Sequence, residues 1–78
     1  DKTDLFAYYY NSGILRMRNG EVKLAIESLN RANSIAEKHT KIKALIALRN
    51  VFRAVNEKEN EAKTLQAIRK IDPSFLSD

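Results

Sequence analysis

The sequence predicts an all-α chain, four helices paired as two antiparallel hairpins. Three observations carry that prediction. Two glycines and one proline are the only strong helix breakers in 78 residues. Apolar residues recur three and four positions apart along most of the chain, the spacing of one helix face. The period-two alternation of a half-buried strand persists nowhere over a useful length.

The first helix is expected over residues 4–18. Thr3 is placed to cap it, because a side-chain oxygen can accept from the free amides of a first helical turn. Phe6, Tyr9 or Tyr10, Gly13 and Met17 share one stripe, and Leu5, Tyr8, Ser12 and Leu15 a second. Two such stripes predict a helix covered on two sides. Asn19-Gly20 ends it, since both residues tolerate the left-handed backbone common at helix ends.

The second helix is expected over residues 21–38, with Val22, Ala25, Ile26, Leu29, Ala32, Asn33 and Ala36 at helical spacing. Glu21 near its start and Lys38 and His39 near its end suit the helix dipole. The third is expected over residues 40–55, capped by Thr40. Leu45, Leu48, Phe52 and Val55 form its stripe, widened by Ile42, Ile46 and Ala47. The polar run NEKEN follows as a turn, in which Asn56 and Glu59 have the spacing of a capping box and Asn60 is the alternative cap. The fourth helix is expected over residues 59–71, carried by Ala62, Leu65, Ile68 and Ile71 and stopped by Pro73. Short loops make successive helices antiparallel neighbours.

Composition bounds the function. Apolar residues at 44% and charged residues at 31% describe a globular chain, not a disordered one. A chain this short buries only about 60% of its unfolded surface. No cysteine is present, so neither a disulfide nor a thiolate metal site supports it. No run approaches the roughly 20 apolar residues of a membrane helix, and no signal-peptide pattern is visible. These features lead to the expectation of a cytoplasmic setting without membrane partners. The start at Asp1 instead of methionine leads to the expectation of a fragment or processed product. The net charge is +4. Residues 16–53 carry nine basic side chains against three acidic ones, Glu21, Glu27 and Glu37. A basic middle favours acidic partners, and a solvated helical surface rich in lysine is the plainer explanation.

The chain also repeats itself. A shift of 36 residues brings Tyr9 onto Leu45, Ser12 onto Leu48, Arg16 onto Phe52, Leu29 onto Leu65 and Ala32 onto Ile68. Apolar or small residues mostly coincide, so two copies of one hairpin are expected. Gly13, Ala25 and Ala32 are small where the helices approach closely, and Tyr9 and Leu29 fill the space beside them.

On these residues the chain resembles the tetratricopeptide repeat (TPR) family over about residues 4–73. The first hairpin supplies a large aromatic at Tyr9, the small residue at Ser12-Gly13, the turn glycine at Gly20, and Ala25, Leu29 and Ala32 on its second helix. Glu37 stands where that pattern ends in proline. The second hairpin supplies Leu45, Leu48, Phe52, Leu65, Ile68 and Asp72-Pro73. It departs from the pattern at Arg49, in place of a small residue, and at Glu61, in place of an alanine that Ala62 adjoins. The resemblance implies a TPR-like superhelix with one repeat over about residues 4–38, a second over about residues 40–73 and a tail at 74–78.

It also implies a concave groove lined by the first helix of each repeat. Tyr10, Asn11, Ile14, Met17 and Arg18 would face it from the first repeat, and Lys43, Ile46, Asn50 and Arg53 from the second. An apolar floor, asparagine amides and cations suit a peptide, an acidic one in particular. Some family members hold a partner's terminal carboxylate with Asn, Lys and Arg. Asn11 stands where one such Asn occurs, but that clamp is built over three repeats and two are present here.

No catalytic set is expected. His39 is the single histidine and lies beside Lys38 and Lys41. Metal ligation lacks His/Cys pairs, and Glu57, Glu59 and Glu61 alternate with lysine outside any calcium-loop pattern. The glycines of NSGILRMRNG do not have phosphate-loop spacing. The expected function is therefore a protein–protein interaction module or scaffold segment without enzyme activity, cofactor, metal or small-molecule substrate. Two alternatives stand beside it: a structural or dimerising segment of a larger protein such as a regulator, and a basic helical domain that binds nucleic acid through Arg16, Arg18, Arg49, Arg53 and stacked tyrosines. Homo-oligomers, or further repeats in a parent chain, would cover Phe75 and Leu76.

Overall fold

The computed structural model of the chain describes residues 1–76. Among them it shows four helices and no strand: α1 (Lys2–Arg18), α2 (Val22–Ile35), α3 (Lys38–Ala54) and α4 (Lys58–Ile71). Every boundary of the second hairpin follows its counterpart by 36 residues: Lys2 and Lys38, Arg18 and Ala54, Val22 and Lys58, Ile35 and Ile71. The offset read from side-chain character is thus also the offset of the backbone.

The two hairpin turns repeat as well. Gly20 has φ 79 and Asn56 φ 62, and they are the only described residues in the left-handed region. After each, a glutamate amide reaches back across the helix end: Glu21 N–H donates to Arg16 O at 2.8 Å, and Glu57 N–H to Phe52 O at 2.9 Å. This is the Schellman closure, which satisfies carbonyls that the last helical turn leaves free. Asn56 therefore terminates α3 and forms no capping box with Glu59. Asn60 does not cap α4 either, because its Nδ2 donates to Glu57 Oε1 at 2.7 Å. The N-cap of α4 is Glu57, without a side-chain cap bond.

Three other helix ends differ from expectation. Asp1, not Thr3, caps α1: Asp1 Oδ1 accepts from Asp4 N–H at 3.1 Å. Starting the helix two residues earlier places Thr3 inside it. At the other junction, α2 stops at Ile35 and the chain reverses through extended backbone at Ala36 and Glu37, with ψ 140 and 166. Lys38 and His39 therefore belong to the first turn of α3, where the helix dipole does not favour a cation. Thr40 does not cap; its Oγ1 donates to Glu37 O at 3.1 Å. Lys41 folds back across the junction and its Nζ donates to Asn33 O at 3.0 Å, placing a cation at the C-terminal end of α2.

Helix α3 is the centre of the core. Ala44, Leu45, Ala47, Leu48, Val51 and Phe52 are buried along it, between the first hairpin and α4. In the first hairpin, Gly13 lets α1 close on α2. A Cβ placed there would lie 2.6 Å from Leu29 Cγ, so any side chain requires Leu29 to move. Ala25, Leu29 and Ala32 are fully buried opposite it. On α4 the inward stripe is the expected one in part: Ile68 is buried and Leu65 and Ile71 are half-buried, but Ala62 is exposed, and Thr64, buried, with Glu61 and Ala67, half-buried, joins the inner side. The Thr64 hydroxyl is satisfied within its own helix by Asn60 O at 2.7 Å.

The second stripe of α1 stays open. Leu5, Tyr8 and Leu15 are 46%, 64% and 58% exposed, so α1 is covered on one side only. None of the described helices is long and apolar enough to cross a membrane.

A candidate groove between α1 and α3

The two first helices run side by side, and equivalent faces of them meet. On α1, Tyr10, Ile14, Met17 and Arg18 fall within one stripe, spaced by four, three and one. On α3, Ile46, Ala47, Asn50, Val51 and Ala54 do the same. Between them lies an open cavity of about 340 Å³ lined by these nine residues. Three of the pairs across it are 36-residue equivalents: Tyr10 with Ile46, Ile14 with Asn50, and Arg18 with Ala54.

The floor is apolar because α3 places Ala47 and Val51, both buried, at its base. Alanines at 47 and 54 leave room that larger side chains would fill. Polar groups sit along the rim. The Tyr10 ring stacks on Phe6 with centroids 5.6 Å apart and planes 17° apart, which fixes its orientation. Lys43 Nζ lies 4.8 Å from the centre of the Tyr10 ring. A cation therefore stands at this end, and Arg18, exposed at the C-terminal end of α1, stands at the other. Asn50 offers its amide between them.

Six residues singled out from the sequence line the cavity: Tyr10, Ile14, Met17, Arg18, Ile46 and Asn50. Three do not. Asn11 is exposed and outside the lining. Lys43 reaches the groove only through the ring of Tyr10. Arg53 turns toward α4, where its Nε donates to Glu61 Oε2 at 2.8 Å. Glu61 of α4 thus draws this arginine away from the groove.

Ala47, Val51 and Ala54 line the cavity without having been singled out. A strict helical count from Ile46 and Asn50 reaches them, but Ala47 reads as a packing residue and small residues carry little pattern. Among the described residues no three His, Cys, Asp or Glu side chains come together as a metal site. Compared with models of known protein families, with curated protein sequences and with solved structures, the chain has no match.

Proposed function

We propose that the chain is a non-enzymatic helical-hairpin module of the TPR kind that takes up a peptide segment of a partner protein in the groove between α1 and α3. The observation that carries this reading is the groove itself: an apolar floor, one amide from Asn50, and a cation at each end from Arg18 and Lys43. Such a surface favours a segment with apolar side chains at its centre and carboxylates at its ends. Calorimetric titration with a short peptide of that pattern tests it. Arg18→Glu and Lys43→Glu should each weaken binding at least about tenfold, the change expected when a charge-assisted contact is replaced by repulsion, while the helical circular dichroism signal stays unchanged. Equal binding by both variants would refute the reading.

A structural, self-associating role is the second reading, favoured by the open stripe of α1. Shifted by 36 residues, Leu5, Tyr8 and Leu15 fall on Lys41, Ala44 and Val51, and the last two are buried on the α3 side that meets the first hairpin. The open stripe thus stands where a further hairpin or a second copy would dock. Sedimentation at increasing concentration decides between a monomer and such an assembly, and Leu15→Glu should abolish any assembly seen.

A further inference from the structure

Arg49 is the one charged side chain among the buried described residues, at 5% exposure. Its Nε and Nη1 are shut off from water and have no hydrogen-bond partner. A guanidinium presents two edges to a carboxylate, Nε with Nη2 or Nη1 with Nη2, so each edge includes one of these orphan nitrogens. Unpaired buried cations are strongly unfavourable, and a site of this kind gains when an anion reaches it.

What keeps anions out is the tail after α4. The Phe75 ring lies over the guanidinium, its centroid 5.8 Å from Cζ. Phe75 also packs against the main core. Phe75 N–H donates to Asp72 O at 3.0 Å, and Asp72 Oδ1 accepts from Ser74, which closes the turn. Arg69 Nε of α4 donates to Phe75 O at 3.4 Å. Phe75 is half-buried and Leu76 is 81% exposed. The half-buried carboxylate on α4, Glu61, is already bonded to Arg53.

We propose that Arg49 anchors a second binding site, separate from the α1/α3 groove, which receives a carboxylate of an acidic peptide segment when the Phe75 tail lifts. One guanidinium balances one carboxylate. A phosphate group, about −1.5 to −2 at neutral pH, would leave charge that this one guanidinium does not balance.

The test follows the Arg49 Nε–Hε resonance by NMR while the full chain is titrated with a hexaglutamate peptide and, separately, with inorganic phosphate. The resonance should move with the peptide and not with phosphate. Phe75→Ala should bind the peptide about tenfold tighter, since the cover no longer competes. Arg49→Met should lose that gain in the Phe75→Ala background while remaining helical by circular dichroism. Arg18→Glu, which alters the groove alone, should leave the Arg49 response in place, so failure of either site is seen separately. A resonance that stays still, a Phe75→Ala variant that binds no tighter, or an equal response to phosphate overturns the proposal. Should Arg49→Met unfold, the wild-type resonance decides by itself.

Discussion

Arg49 occupies in α3 the place that Gly13 occupies in α1, 36 residues earlier, and both are buried. In the first hairpin the position is empty of side chain, and Leu29 of α2 fills it to the point that a Cβ would clash at 2.6 Å. In the second hairpin a long cation fills it, and the equivalent Leu65 on α4 is left half-buried. One backbone plan therefore carries two different helix–helix contacts, one dry and close, the other built around a charge.

The close contact predicts coupling between Gly13 and Leu29. Leu29→Ala should cost about 2–5 kcal/mol, as for other fully buried leucines, a large share of the stability of so small a domain. Gly13→Ala alone should cost about 1–3 kcal/mol through overpacking. The double variant should be more stable than the sum of the two predicts, because truncating Leu29 clears the space the new methyl needs. Urea denaturation of all four proteins checks this, and simple additivity would contradict the packing described.

Arg49→Met predicts the opposite sign from most core substitutions. Replacing a buried charge with an apolar side chain of similar length removes orphan donors without opening a large cavity. Stability should be unchanged or raised, by as much as about 4 kcal/mol. A thermal melt of the variant checks it, with a clearly lowered midpoint as the contrary result.

The turns make a paired prediction. Gly20→Ala places a Cβ on a left-handed residue and should cost about 1–2 kcal/mol; nothing else lies within 4 Å of that Cβ, so the cost is backbone strain alone. Asn56→Gly, at the equivalent place in the second turn, should be neutral within about 1 kcal/mol. Chemical denaturation of the two single variants tests whether the turns are built alike.

The Arg53–Glu61 pair, although short at 2.8 Å, is partly open to water, its side chains 42% and 24% exposed. Glu61→Gln should cost less than about 1 kcal/mol, and less again in high salt. Comparison of denaturation midpoints in low and high salt measures this; a large, salt-independent loss would mean that Glu61 is needed for packing.

The four helices, the hairpin offset, the turn at Gly20 and the small-against-large contact of Gly13 with Leu29 were all legible in the sequence. Each rests on local chemistry: apolar spacing, backbone freedom at glycine, and the volume of a side chain. The ambiguous places were those where one residue type serves two local purposes. Asn56 suits a helix cap and a left-handed helix end equally, and only the amide of Glu57 reaching Phe52 O decides for the second. Glu61 and Ala62 compete for the inner face of α4, and it is the approach of Arg53 from α3 that turns Glu61 inward. The groove divides in the same way. Its long residues could be read from helical spacing, whereas Ala47, Val51 and Ala54 became part of it only because α1 and α3 lie at a distance that leaves a gap above them. Periodicity along the chain determines which side of each helix is apolar. How closely two helices approach, and which way a long cation such as Arg49 or Arg53 then turns, is decided by contacts between residues far apart in sequence.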